Sequence, residues 1–147
     1  MSLRFDHLGV VVAEIAKGRD HFRSVFNIEH WTEQFTDPFN LVHVQFGQST
    51  DGICYELISP LGPDSPILRA LKTGNPILNH IAYLTPDLDL SARYLRENGY
   101  MPAGDARPAI AYEGKRIQFF VSPLRFIVEL IEAFEHRHNF HLQLPKS

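Results

Sequence analysis

The sequence predicts an α+β domain in which a βαβββ module occurs twice in tandem. Three observations support this fold class. The chain has 147 residues, 44% of them hydrophobic and 21% charged, which is an ordinary balance for a single globular domain. Short strings in the first half recur 73 residues later. Segments that alternate apolar and polar residues, as strands do, follow a segment with the apolar stripe of a helix.

The internal repeat rests on three matches that share the offset of 73. Residues 5–9 (FDHLG) resemble 78–82 (LNHIA), 44–46 (VQF) resemble 117–119 (IQF), and 56–58 are identical to 129–131 (ELI). Because one offset serves all three matches without a gap, we expect one domain over residues 1–147. Its modules are predicted at about 1–73 and 74–135. A short C-terminal tail follows, and its histidines are interpreted as surface polar residues: His136, His138 and His141.

Each element of the first module has its own signal. Residues 5–12 are rich in Val and Leu and predict a buried strand. An apolar stripe predicts a helix over 14–27. Period-two alternation over 42–46 predicts a strand with two unlike faces, and a polar turn then leads into the returning strand over 53–59.

The second module repeats this order. Its predicted strands cover 78–84, 116–121 and 126–132, and its predicted helix covers 88–98. Asp87 is the expected N-cap of that helix, and Gly99 is expected to end it. Between the modules, Ser65 and Pro66 predict the start of a short helix that Gly74 stops.

Composition and charge narrow the possible functions. The net charge of −3 lacks the basic excess of a general nucleic-acid binder. No apolar run reaches the ~18–20 residues that span a bilayer. The single cysteine, Cys54, fits a reducing compartment. We therefore expect a cytoplasmic protein that binds neither nucleic acid nor membrane.

Four polar residues stand at repeated positions within apolar strands. His7 and His80 begin the two modules, and Glu56 and Glu129 follow them at the same spacing of 49 residues. A carboxylate in such a strand is costly unless it is paired or bound to metal. If the modules pack about a pseudo-twofold axis, the two imidazoles and two carboxylates meet and suit a divalent ion. The alternative for each residue is a structural partner, a backbone carbonyl for His and an Arg for Glu.

A longer motif adds a family resemblance. Residues 55–67 (YELISPLGPDSPI) resemble the motif ELL-x-PLG-x-DSPI of methylmalonyl-CoA epimerases. The chain is thus similar to the vicinal-oxygen-chelate superfamily, which includes those epimerases and glyoxalase I. The resemblance implies a glyoxalase-like fold, a cupped mixed sheet around a divalent ion (Co, Ni, Zn, Mn or Fe). The implied ligands are His7, Glu56, His80 and Glu129.

The resemblance also implies an activity. It predicts a metal-dependent isomerase or lyase that transfers a proton through a metal-stabilised enolate or enediolate of an acyl-thioester or 2-oxo substrate. Glu129 is the implied base. Epimerisation needs a second acid–base group, and the strand over 41–46 lacks the Glu that epimerases carry there. His43, on the face of this strand opposite Val42 and Val44, is the candidate because an imidazole can carry a proton near neutral pH. The alternative is that His43 faces solvent or lines the cavity without a role in proton transfer. Whether coenzyme A or glutathione carries the substrate stays open.

Other functions on the same scaffold remain. A glyoxalase I-like enzyme (lactoylglutathione lyase) is the first alternative. A non-haem iron oxygenase needs two His and one carboxylate, so a fourth protein ligand argues against it. A non-catalytic resistance-type binding protein often lacks the metal ligands. Because proteins of this kind often pair, we also expect a homodimer.

Overall fold

A computed structural model describes residues 2–73 and 78–143. Within these residues one mixed sheet carries three α-helices. In chain order the elements are β1 (Arg4–Val11), α1 (Ile15–Phe26), β2 (His30–Trp31), β3 (Phe35–Asp37), β4 (Val42–Gln48), β5 (Cys54–Pro60), α2 (Leu68–Thr73), β6 (Leu78–Thr85), α3 (Leu88–Glu97), β7 (Met101–Pro102), β8 (Arg107–Pro108), a 3₁₀ turn (Ile110–Tyr112), β9 (Arg116–Val121), β10 (Ile127–Glu132) and β11 (His141–Leu142).

The sheet has a symmetric strand order. It runs β11-β2-β4-β5-β1-β6-β10-β9-β7, with β3 also paired to β4 and β8 to β9. The central strands β1 and β6 are antiparallel, and each lies parallel to the last strand of its own half, β5 or β10. The predicted α+β class and mixed sheet are confirmed. In each half the strand after the helix is broken into two short pieces, β2 and β3 or β7 and β8.

The same offset of 73 relates the pairing registers of the two halves. Gly9 lies beside Glu56 as Ala82 lies beside Glu129, and Phe46 lies opposite Glu56 as Phe119 lies opposite Glu129. The two glutamates therefore occupy matching points of the sheet.

The predicted module boundary and the predicted helix end at Gly74 fall on residues 74–77, outside the described residues, so both stay predictions. The short helix begins at Leu68, two residues after Pro66, because a turn occupies the residues between.

The sheet has two differently covered faces. On one face, α1 packs over the buried Leu57 and Trp31, and α3 packs over Leu130. On the other face, apolar side chains of both halves form a shared core, among them Val44, Ile58, Ile117 and Ile131. Side chains alternate along a strand, so Glu56 points to the shared side with Ile58, as the sequence predicts. No helix within the described ranges is long and apolar enough to cross a membrane.

The two long helices differ at their N-caps, and this allows a stability prediction. The Asp87 carboxylate accepts a hydrogen bond from the Leu90 N–H at 3.0 Å, as predicted for an N-cap, whereas Glu14 at the matching position makes no such bond. We expect Asp87→Ala to lower the free energy of unfolding by about 1 kcal/mol, the usual value of a lost cap. Urea unfolding measures it, with Glu14→Ala as the matched control. Equal losses in the two variants would contradict the role of the cap.

Candidate metal centre

The two predicted histidines meet at the centre of the sheet. His7 on β1 and His80 on β6 lie on the antiparallel central pair, and their Nε2 atoms are 3.0 Å apart. Both rings are buried. Gly9 makes this possible because it faces His80 across the strands, and a Cβ at Gly9 would overlap the His80 imidazole. The absence of a side chain at residue 9 is therefore part of the site.

The two predicted glutamates complete the group. Glu129 Oε1 lies 3.0 Å from His80 Nε2 and 3.3 Å from His7 Nε2. Glu56 Oε1 lies 3.5 Å from both nitrogens. All four side chains are buried, and their donor atoms lie within 4.8 Å of one another. The structure thus brings together all four residues that the repeat singled out.

The buried carboxylates change the protonation of the imidazoles. Burial alone would lower the pKa of His7, but the charge of Glu56, the hydrogen bond to Asp6 and the nearby glutamate oxygens raise it well above its ordinary value. The pKa of His80 is likewise raised, because its interaction with Glu129 outweighs burial. Burial raises the pKa of Glu56, yet the charge of His7 lowers it to about 2. The buried imidazoles are therefore surrounded by carboxylate charge, which a cation would balance.

The donor set fits a divalent ion. Glu129 Oε1 is buried and accepts no hydrogen bond from any described residue. An orphaned buried carboxylate oxygen is costly, and a cation would satisfy it. Neighbouring ligands of an ion with bonds of about 2.1 Å lie about 3.0–3.4 Å apart in octahedral or tetrahedral geometry. The closest donor pairs, at 3.0–3.5 Å, match this spacing. Two nitrogens and two carboxylates thus form a buried group able to hold a divalent metal.

A layer of polar residues behind His7 was missed by the sequence reasoning. Asp6 Oδ2 accepts hydrogen bonds from His7 Nδ1, the Tyr112 hydroxyl and His138 Nε2. Burial tends to raise the pKa of Asp6, but hydrogen bonds to and the charges of His138 and His7 hold it far below its ordinary value. The signal for Asp6 was a carboxylate directly beside a predicted ligand, because a metal-binding His commonly donates its other ring N–H to a carboxylate. The interpretation of His138 as a surface polar residue is wrong, because its side chain is only 7% exposed.

His43 is the predicted site residue that the structure does not bring to the others. Val42 and Val44, its neighbours on β4, line the cavity beside the four donors, so His43 points to the opposite face. Gln45, which shares that face, accepts a hydrogen bond from Arg19 of α1. The His43 ring instead contacts Thr36 Oγ1 at 3.1 Å. This placement argues against the predicted proton-transfer role of His43.

A cavity of about 580 Å³ reaches the donor group at its two glutamates. Glu56, Glu129 and Tyr112 line it, and most of the remaining wall is apolar. The charged residues of the wall are few: Asp37, Asp64, Asp105 and Arg107, besides the two glutamates. The thiol of Cys54 does not add a nucleophile, since burial raises its pKa to about 12. A small molecule in this cavity would meet the carboxylates of Glu56 and Glu129 within a largely apolar wall that also carries three aspartates and one arginine.

Comparison with known proteins agrees with this architecture. The chain is 32% identical over 141 residues to the uncharacterized protein YqjC of Bacillus subtilis, covering 94% of this chain and 98% of that protein. It is 29% identical over 131 residues to the ethylmalonyl-CoA/methylmalonyl-CoA epimerase of Cereibacter sphaeroides, covering 88% of this chain and 95% of that enzyme. In both cases nearly the whole length of the relative is matched.

A solved structure shares the fold. The methylmalonyl-CoA epimerase of Mycobacterium tuberculosis superposes with a TM-score of 0.72 at 22% identity, covering 87% of this chain and 86% of that chain. The profile of the Glyoxalase/Bleomycin resistance protein/Dioxygenase superfamily matches residues 6–119, which include three of the four donors. The predicted glyoxalase-like fold is thereby confirmed. The chain belongs to the Glyoxalase/Bleomycin resistance protein/Dioxygenase superfamily.

Proposed function

We propose that this protein is a metal-dependent enzyme that transfers a proton at the carbon next to a carbonyl, as a methylmalonyl-CoA epimerase does. One observation carries the proposal: a buried His2Glu2 group, with one carboxylate oxygen unpartnered among the described residues, faces a cavity of small-molecule size. The likeness to an acyl-CoA epimerase over nearly its full length supports an acyl-thioester substrate.

The proposed mechanism assigns each residue a task. His7, His80, Glu56 and Glu129 would hold the divalent ion, which when bound supplies Lewis-acid stabilisation of negative charge on a substrate oxygen. Glu129 would take the proton from the substrate carbon, because it lines the cavity and lies within the donor group. The apolar wall would exclude water and so strengthen these electrostatic interactions.

A second candidate function is favoured by the cavity wall on β4. Epimerisation by two bases needs an acid–base group on each side of the substrate carbon, and β4 presents Val42 and Val44 to the cavity. A reaction with one base avoids this requirement, since the same carboxylate removes a proton and returns it to a neighbouring carbon. A glyoxalase I-like conversion of a hemithioacetal is a reaction of this type.

Proton–deuterium exchange in heavy water tests the proposal. Metal-loaded protein is incubated with methylmalonyl-CoA, hemithioacetals or 2-oxo acids, and NMR follows the carbon-bound proton. Exchange at the methylmalonyl carbon supports the epimerase reaction, and turnover of the hemithioacetal alone supports the second candidate. No exchange in any substrate by protein that binds metal would instead favour a binding protein of this superfamily.

The first expected result is metal content. Protein purified without a histidine tag is expected to hold about one divalent ion per chain, measured by inductively coupled plasma mass spectrometry. His80→Ala is expected to lose the ion, because it removes a ligand from the buried group. His43→Ala is the control and keeps full occupancy, since it faces away from the site. Full metal content in His80→Ala would contradict the proposed metal centre.

We also propose a homodimer in the cytoplasm. Isologous dimers are the commonest protein oligomers. Light scattering at micromolar concentration is expected to give twice the mass of one chain, and dilution into the nanomolar range should leave that mass unchanged if the pair is stable. A single-chain mass at micromolar concentration would contradict the dimer.

A further inference from the structure

The C-terminal segment 133–143, here called the strap, links the two halves of the sheet. It leaves the end of β10 in the second half and reaches the far edge of the first half, where its strand β11 pairs with β2. The Gln143 N–H donates to the Glu29 carbonyl, and Arg23 donates to the Gln143 carbonyl at 3.0 Å. The strap is therefore anchored at both ends, by its continuity with β10 and by these hydrogen bonds, and His138 lies between the two anchors.

His138 is where the strap touches the site. Its ring stacks on Phe46, with ring centroids 4.3 Å apart. Its Nε2–H donates to Asp6 Oδ2 at 3.0 Å. The same oxygen accepts from Tyr112 at 2.6 Å and from His7 Nδ1 at 2.7 Å. Three donors thus hold one carboxylate oxygen, and one of them belongs to a segment beyond the internal repeat.

The Asp6 carboxylate sets the orientation of His7. When His7 Nδ1–H donates to Asp6, the His7 Nε2 atom keeps its lone pair, which points to the side where His80 and Glu129 lie. A hydrogen-bonded carboxylate of this kind fixes the ring and tautomer of a metal-binding His and raises its basicity. A carboxylate can do this only if it is itself held in place.

The other half of the site provides an internal comparison. Asn79 matches Asp6 in the repeat, and its amide oxygen accepts from His80 Nδ1 at 2.9 Å. Asn79 is neutral, and no further donor to it is found among the described residues. Asp6 carries a buried negative charge, which is costly unless several donors satisfy it. Among the described residues, a strap side chain bonds to Asp6 and none bonds to Asn79.

We propose that His138 is a positioning residue, which holds Asp6 and through it aims His7 at the metal. This inference rests on the proposed metal centre. It gives the strap a role in metal affinity, although none of its residues belongs to the donor group.

Cobalt(II) titration of the metal-free full-length protein tests the inference, with the visible absorption spectrum and the Kd as readouts. His138→Ala is expected to weaken cobalt affinity about tenfold, the lower end of what loss of an outer hydrogen-bond partner costs, and to change the spectrum. His138→Gln keeps an N–H donor and should restore most of the affinity. His141→Ala, in the same strap but exposed and not bonded to Asp6, is the control and should bind as wild type.

A double-variant cycle separates positioning from general damage. In an Asp6→Ala background, His138→Ala should cause no further loss of cobalt affinity, because its route to His7 is already gone. Additive losses, or unchanged Kd and spectrum in His138→Ala, would overturn the inference and leave the metal centre standing. Failure of the wild-type protein to bind cobalt would instead overturn the proposed function.

Discussion

Replacing Glu129 with Gln is expected to lower the rate of proton transfer at least ~100-fold while the protein still binds metal. The amide keeps one oxygen for the ion but has almost no basicity, and removal of a general base costs ~10²–10⁴-fold. Of the two glutamates, Glu129 is the closer to the Nε2 atoms of both histidines, and it has an oxygen that no described residue satisfies. Deuterium exchange rates at saturating metal measure the loss.

Glu56→Gln is the matched control for this experiment. Glu56 occupies the equivalent point of the other half but lies farther from the imidazoles, at 3.5 Å. We expect a milder loss of rate in this variant. Near-normal exchange in Glu129→Gln with metal retained would refute the assignment of the base, and loss of exchange in His43→Ala would move the role to His43.

Gly9→Ala is expected to weaken metal affinity ~10–100-fold, the range seen when the orientation of a ligand is disturbed. The added methyl would overlap the His80 ring, which must then leave its position beside His7. Overpacking of this kind also costs about 1–3 kcal/mol of stability. Isothermal titration of the metal-free protein measures the affinity, and urea unfolding measures the stability.

Ala82→Gly is the control, because Ala82 holds the matching place beside Glu129 in the other half. It removes a methyl group from the central strands without crowding an imidazole. We expect metal affinity close to that of the wild type. Wild-type metal affinity in Gly9→Ala would contradict the inference that the His80 ring needs the space left by the missing side chain at Gly9.

The parts of the site that the sequence predicted are those that occur twice. His7 and His80 share an offset with Glu56 and Glu129, and the sheet repeats its register at the same offset. A repeated polar residue in an apolar strand is informative because chance rarely places it twice. The long strands and helices were predicted from the periodicity of their own residues, whereas the two-residue and three-residue strands β2, β3, β7, β8 and β11 are too short to show a pattern and were not predicted.

The parts that were missed occur once. Tyr112 and His138 reach Asp6 across 106 and 132 residues of chain, and local patterns carry no signal for such contacts. His43 was assigned to the correct strand and to the face opposite Val42 and Val44. The predicted role required the His43 face of β4 to meet the cavity. Instead, α1 covers that face at Gln45, and the opposite face of β4 lines the cavity.

The even division of the donors between the halves has a consequence for the history of the chain. Each half brings one imidazole and one carboxylate, and the central strands β1 and β6 join them. Two copies of a single half, paired through that strand, would present the same four donors without any link between them. Fusion of such copies would leave the chemistry intact and free each copy to change separately, as Asp6 and Asn79 have done behind their histidines.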